Sequence, residues 1–234
     1  MVKGVIFDID GTLYSYLAND KVAVKSLCEF AEKNLSVDKE EFLKAYGEGR
    51  RIVKERLTDG GSRHSRVLFF QTTLELLGKN SFLYIREMYE CYWSNFLNGM
   101  KPFDGAAEFI RKLKEHGIKI ALCTDMTAQI QYRKINQLGL RDYIDFMVSS
   151  EETGLEKPAP IMFELALKKL DIDAKDAAYF GDTLDRDIKG AANLGITPFW
   201  YIGERKVEDT EFDCVKIRSY HEIIGSSFFF NTKI

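Results

Sequence analysis

The sequence predicts an α/β fold, a parallel sheet flanked by helices and interrupted near its start by an all-helical insertion. Three observations carry this prediction. A short apolar run, Val5-Ile6-Phe7, opens the chain and ends in Asp8-Ile9-Asp10-Gly11. From Lys101 onward, apolar runs alternate with amphipathic segments in the rhythm of βα units. Between these two regions, residues 16–98 show helical periodicity alone.

The opening run favours an extended strand because Val5, Ile6 and Phe7 suit a pleated, buried surface, and Gly11 ends it. In the insertion, Val24, Leu27, Cys28 and Ala31 share one helical face, Phe42, Tyr46 and Val53 mark a second helix, Leu68–Leu77 a third and Phe82–Leu97 a fourth. Short loops between them predict a small bundle, with the aromatic faces as its core. Beyond Lys101, a helix from about Asp104 buries Phe109, Ile110 and Leu113 and stops at Gly117; a strand follows over Ile118–Cys123. The next helix spans Thr127–Leu138 and is closed by Gly139. Further strands are predicted at Phe146–Ser149, Ala177–Phe180 and Thr197–Tyr201, with helices at Ala159–Leu170 and Asp185–Leu194. The expected division is a core of residues 1–15 and 99–234 and a helical domain of residues 16–98. The latter leaves the chain directly after the Asp8/Asp10 loop, so it should sit over the carboxyl edge of the sheet, where it can exclude water and select substrate.

At 234 residues, with 45% apolar and 29% charged side chains, the chain can bury a sizeable core and solvate its surface. A net charge of -3 supplies no general attraction to nucleic acid or to an anionic membrane, so phosphate recognition has to be local and a small molecule is the expected partner. Cys28, Cys91, Cys123 and Cys214 are widely spaced, and no histidine neighbours a cysteine, which argues against a zinc site or a disulfide framework. No apolar stretch is long enough to span a bilayer, and a first strand beginning almost at Met1 leaves no room for a signal peptide. A reduced, cytoplasmic protein is expected.

Asp8 and Asp10 should stand at the carboxyl edge of the sheet, where open α/β sheets bind ligands. Two neighbouring acids are expensive to bury without a cation or donors, and Mg²⁺ would satisfy them. Three later features each fall just after a predicted strand. In Cys123-Thr124-Asp125, a hydroxyl followed by backbone N–H groups entering a helix suits an anionic oxygen, although Thr124 alone reads as a helix cap or turn residue. In Glu156-Lys157-Pro158, Pro158 is expected at the beginning of a helix with Lys157 extended before it, able to reach inward and neutralise phosphate; alone, such a lysine reads as solvated. In Gly181-Asp182-Thr183-Leu184-Asp185-Arg186-Asp187, the acids at the strand end and one helical turn later, Asp182 and Asp187, can converge on one cation, while Asp185 reads as the N-cap of the following helix.

Together these four motifs resemble the haloacid dehalogenase superfamily, specifically its capped, magnesium-dependent phosphatases: Asp8-Ile9-Asp10-Gly11-Thr12, then Thr124, then Lys157, then Gly181-Asp182 with Asp187. The resemblance covers nearly the whole chain. It implies a Rossmann-like three-layer α/β/α core, and it makes the insertion look like the family's first type of cap. It further implies that Asp8 is the nucleophile and forms an aspartyl-phosphate, while Asp10 protonates the departing alkoxide and then deprotonates the hydrolytic water. Thr124, the backbone of Asp125 and Lys157 would hold the phosphate. The implied Mg²⁺ ligands are the Asp8 side chain, the Asp10 backbone carbonyl and Asp182, with Asp187 in support or reached through water. The cation would offset a specific repulsion. Carboxylate and phosphate repel by about 4 kcal/mol per pair of unit charges at ~4 Å in an effective dielectric of 20, worth roughly three orders of magnitude in rate. The implied substrate is a small phosphomonoester such as a sugar phosphate, a nucleotide or a similar metabolite.

Asp10 separates this reading from its neighbours. Dehalogenases of the same fold attack carbon without a metal and lack an acid at that position. A phosphotransferase or mutase keeps Asp10 and fits the same motifs. A receiver module shares the aspartate, Mg²⁺, hydroxyl and lysine, but is a single short domain whose phosphorylated aspartate lies mid-chain. Asp125 stands where many relatives carry asparagine, and its side chain is expected to turn away from the phosphate. Within the insertion, Gly60-Gly61-Ser62-Arg63-His64-Ser65-Arg66 reads either as a basic loop dipping toward the leaving group or, the preferred reading, as a solvated helix start with Ser62 or Ser65 as N-cap. Tyr14 and Tyr16 line the pocket or pack at the hinge, and Phe228-Phe229-Phe230 closes the core or marks a contact surface.

Overall fold

A computed structural model describes residues 2–207, 210 and 212–230. The opening apolar run forms β1 (Gly4–Phe7). Four helices follow with no sheet strand among them: α1 (Tyr16–Phe30), α2 (Lys39–Arg56), α3 (Arg66–Leu76) and α4 (Ser81–Leu97). The chain continues through α5 (Ala106–Glu115), β2 (Lys119–Thr124), α6 (Ala128–Gln137), β3 (Phe146–Ser149), the short α7 (Ser150–Thr153) and α8 (Pro160–Leu170). It closes with β4 (Ala177–Gly181), α9 (Lys189–Asn193), β5 (Thr197–Tyr201) and β6 (Val215–Ile217).

The strands form one parallel sheet in the order β3-β2-β1-β4-β5-β6. This is the doubly wound, Rossmann-like order, and its crossovers change direction at β1, which pairs with β2 on one side and β4 on the other. Alternation along β1 sends Val5 and Phe7 to one face and Ile6 to the other, so each face carries its own core. Phe7 packs with Phe109 of α5 and Phe180 of β4, whereas Ile6 packs with Met162, Phe163 and Ala166 of α8. Phe229 and Phe230 are buried against the first of these faces, Phe229 at 5.2 Å from the ring of Phe109 and 5.3 Å from that of Phe199. Phe229 and Phe230 therefore close the core, while Phe228 stays exposed at its edge.

The helices of the insertion start where their caps dictate. Asp38 accepts the N–H groups of Glu40 and Glu41 at 2.9 Å, and Ser15 and Asn80 cap α1 and α4 in the same way. Phe70, Tyr92, Trp93 and Phe96 are buried together as the bundle core. The two backbone crossings between sheet and insertion run side by side, joined by the Phe103 N–H donating to the Leu13 carbonyl at 2.8 Å.

Several elements differ from expectation. The helix anticipated from Asp104 starts at Ala106, because Gly105 takes φ 76° immediately before it. Pro158 does not open α8; the Lys157–Pro158 peptide is cis, and Pro160 occupies the first helical turn. Asp185 is not an N-cap. Thr183 precedes a wide π-turn over Leu184–Ile188, and Asp185 inside it accepts from Lys189 Nζ at 2.5 Å. Strand β6 is an element that the sequence does not predict. The four cysteines are free, and among the described residues no helix is long and apolar enough to cross a membrane.

Candidate active site

The register of the sheet brings the motif residues to one edge. Phe7 pairs with Leu122 and with Phe180, so Asp8, Thr124 and Asp182 all emerge at the carboxyl ends of neighbouring strands. Gly181 lets the chain fold back over this edge: a Cβ there would lie 2.3 Å from the Asp187 Cβ. Gly11, at φ +87°, likewise leaves the space that the Asp182 carboxylate occupies, since its Cβ would fall 2.5 Å from Asp182 Oδ2.

Lys157 is the hub of the cluster. Its buried ammonium lies 2.6 Å from Asp8 Oδ1 and 2.6 Å from Asp187 Oδ1, with the Tyr179 hydroxyl at 3.2 Å. Thr12 donates to Asp8 Oδ2 at 3.1 Å, Tyr179 donates to Asp187 Oδ1 at 2.8 Å, and the Thr183 N–H donates to Asp187 Oδ2 at 3.0 Å. Asp182 accepts from Thr183 Oγ1 at 3.0 Å and pairs loosely with Arg205 at 3.3 Å. Carboxylate oxygens of Asp8, Asp182 and Asp187 lie within 4.8 Å of one another, a grouping able to hold a cation. Burial pushes the Asp8 carboxyl well above its ordinary range against the pull of Lys157, and Asp187, Asp182 and Asp10 push it further. Asp182 is raised for the same reasons, burial first and Asp187 second. Three crowded acids around one ammonium leave negative charge in excess, and an all-oxygen donor set suits a hard divalent ion such as Mg²⁺.

The Asp10 carboxylate is not part of that grouping. It accepts from Lys134 Nζ at 2.6 and 2.8 Å, from Gln131 Nε2 at 3.1 Å and from the Tyr14 hydroxyl. Burial alone would raise its pKa, but Lys134 and these hydrogen bonds outweigh it and hold the carboxyl below its ordinary value. Lys134, fully buried on α6, is a site residue that the motifs do not reveal. A signal exists in the sequence: Ile130, Lys134 and Leu138 recur every four residues, so a lysine interrupts an apolar stripe. Gln131 also donates to Thr124 Oγ1 at 2.6 Å, joining the second motif to Asp10.

The Asp125 side chain faces the third motif instead of the cavity centre. Its Oδ1 accepts the Lys157 N–H at 2.8 Å and its Oδ2 pairs with Arg186 at 2.5 Å. Arg186 continues to Glu156 at 3.1 Å, and Glu156 receives Arg63 at 3.3 Å and His64 at 2.7 Å from the insertion. The Glu156 N–H donates to Asp59 at 2.6 Å, and Gly61 sits where a Cβ would meet the Glu151 backbone at 2.9 Å. The preferred reading of the 60–66 segment as a solvated start is thus corrected. Ser65 does cap α3, but Gly61 and Arg66 are buried and His64 is paired, because the turn docks on the loop that carries Lys157.

Burial alone would raise the Glu156 carboxyl, yet the hydrogen bond and charge of His64, with Arg186 and Arg63, hold it below its ordinary value of 4.5. A carboxyl lowered in the folded state stabilises the fold above its unfolded pKa, and that contribution disappears as pH falls through the folded value. Glu156→Gln is therefore expected to lower the melting temperature at neutral pH, with the deficit shrinking below pH 4.5. A deficit that stayed constant in melts across that range would assign the residue a packing role only.

Together these residues face a cavity of about 820 Å³ with two walls, Asp8, Thr124 and Lys157 on the sheet side and Arg50, Lys54 and Arg66 on the helical side. Tyr16 also lines it, its hydroxyl shared with Arg66, whereas Tyr14 is buried beneath Asp10.

A haloacid dehalogenase-like hydrolase family model matches residues 2–195. The chain is 37% identical over 213 residues to the ribulose-1,5-bisphosphate 5-phosphatase of Halopiger xanaduensis, covering 90% of this chain and 89% of that one. It is 30% identical over 230 residues to the glyceraldehyde 3-phosphate phosphatase of Methanocaldococcus jannaschii, covering 96% of each. Among solved structures, a haloacid dehalogenase-type phosphatase from Thermococcus onnurineus shares the fold with a TM-score of 0.71 at 22% identity over 94% of this chain and 95% of that one. A 2-haloacid dehalogenase from Pseudomonas syringae shares it at 0.76 and 24% over 95% and 96%. The chain belongs to the haloacid dehalogenase-like hydrolases, and its relatives place it with the phosphatases of that family.

Proposed function

We propose that the protein hydrolyses a small sugar phosphate with the help of Mg²⁺, residues 1–15 and 99–234 forming the catalytic core and residues 16–98 a cap over it. The observation that carries this reading is the pair of unlike carboxylates at the end of β1. Asp8 sits among acids and Lys157, whereas Asp10 is tethered apart from them by Lys134, Gln131 and Tyr14. The names of the relatives support the substrate class, since one acts on a pentulose bisphosphate and another on a triose phosphate.

Asp8, Asp182 and the Asp10 backbone carbonyl would hold Mg²⁺, with Asp187 in support, and the ion would supply the positive charge that lets a carboxylate approach a phosphate dianion. An Asp8 oxygen bonds to phosphorus as the bond to the leaving oxygen breaks. Lys157 neutralises the phosphoryl oxygens, held in place by Asp8 and Asp187. Thr124 Oγ1 already accepts from Gln131, so its own proton is free to donate to phosphate. In its protonated form Asp10 delivers its proton to the leaving oxygen and, ionised by that transfer, later takes one from the water that attacks the aspartyl-phosphate. Its pairing with Lys134 favours the ionised form required for that second step.

Phosphate release from an aryl phosphate and from small sugar phosphates, measured with Mg²⁺ and with a chelator, tests the reading. Turnover should vanish with the chelator and return on adding Mg²⁺; equal release under both conditions would sink the metal mechanism.

A further inference from the structure

One phosphate is fully provided for on the sheet side of the cavity by Lys157, Thr124 and the acidic cation cluster. The opposite wall nevertheless carries cations of its own. Arg50 and Lys54 lie one turn apart on α2, Arg66 stands at the start of α3, and all three line the same cavity. Their neighbours are paired: Arg51 with Glu48 and Glu55, Arg63 and His64 with Glu156. Among the described residues, no carboxylate lies within ion-pair distance of Arg50, Lys54 or Arg66. Arg50 is fixed over the rings of Tyr46 and Phe69. Arg66 is buried over the rings of Phe69, Tyr92 and Trp93, and its terminal nitrogens hydrogen-bond only the His64 carbonyl and the Tyr16 and Tyr92 hydroxyls. Its Nε has no partner. A buried cation without a counter-ion is costly, and three cations on one wall ask for an anion. Burial, then the charges of Arg50, Arg63 and Arg66, lower the basicity of Lys54, as expected of a cation crowded by cations.

We propose that Arg50, Lys54 and Arg66 bind a second phosphate group, at the far end of the substrate from the phosphate that Asp8 attacks, so that the preferred substrate is a short-chain sugar bisphosphate. This rests on the phosphatase reading above and narrows it. A dianion matches the surplus charge better than a carboxylate, and two guanidinium forks with one ammonium suit phosphate oxygens. Both walls bound one cavity of about 820 Å³, so the two ends of a single small molecule meet them together.

The test compares kcat/KM for a pentulose 1,5-bisphosphate and the matching 5-monophosphate. The wild-type protein should prefer the bisphosphate by roughly tenfold or more, and Lys54→Met and Arg50→Met should each shrink that ratio several-fold. Arg51→Met, on the same helix but paired elsewhere, should leave the ratio as it is. A wild-type ratio near one overturns the proposal, as do Lys54 and Arg50 variants that slow both substrates equally. A sugar-acid monophosphate used as well as the bisphosphate would assign the wall to carboxylates and also overturn it. Should no compound, aryl phosphate included, release phosphate, the phosphatase reading fails; calorimetric binding of the bisphosphate to wild-type and Lys54→Met protein then decides the second site by itself.

Discussion

Asp8→Asn is expected to abolish phosphate release while leaving the protein folded. The asparagine amide keeps the size of the carboxylate but cannot form the aspartyl-phosphate, and loss of a nucleophile costs roughly 10⁴-fold or more in kcat. Stability should change little, because two effects oppose each other. The substitution removes one partner of Lys157, which keeps Asp187 at 2.6 Å. It also removes a carboxyl that burial and neighbouring acids disfavour in its ionised form. A phosphate-release assay beside a thermal melt checks both halves, and turnover within about tenfold of wild type would remove Asp8 from the proposed mechanism.

Lys157→Met is expected to be the most damaging substitution for activity and stability together. Removing the ammonium leaves Asp8, Asp187 and Asp182 facing one another with no cation between Asp8 and Asp187. Breaking a buried pair on one side costs about 3–5 kcal/mol, which for a chain of this size is a fall of about 6–20 °C in melting temperature. Loss of the charge on the phosphoryl oxygens costs about 10²–10³ in kcat. The pH dependence has a definite sign. Acids whose folded pKa is raised stabilise the fold at low pH and lose that contribution as pH rises through the folded value. The variant's deficit should thus grow from acidic to neutral pH, and Mg²⁺ should restore more melting temperature to it than to the wild-type protein. A deficit indifferent to both pH and Mg²⁺ would mean that the acids do not form the cluster described.

The sheet edge was legible because each of its residues is written beside a strand. Asp8, Thr124 and Asp182 follow apolar runs in sequence, and parallel pairing places the ends of such runs side by side. Asp187 was legible as part of that group, but its route was not: a π-turn, opened by Thr183 and permitted by Gly181, replaces the expected regular helix. The pairings made by Lys134 and Glu156 across elements escaped for a different reason, although Lys134 itself interrupts an apolar stripe. Lys134 meets Asp10 across 124 positions and Glu156 meets Arg63 across 93, and no local pattern encodes such pairings. Strand β6 spans three residues with a lysine in the middle, too short for periodicity to register.

The single hydrogen bond from Phe103 to Leu13 gives the insertion the geometry of a cassette. Its two ends lie together, pinned to each other instead of to separate parts of the sheet. The Asp8, Lys157 and Asp182 side chains all come from outside those two crossings, so exchanging the segment between chains built this way swaps one cavity wall while the reacting groups stay with the host. Diversification of substrate and preservation of chemistry are thereby separable within one polypeptide wherever the contacts of Asp59, Arg63 and His64 with Glu156, beside Lys157, are kept.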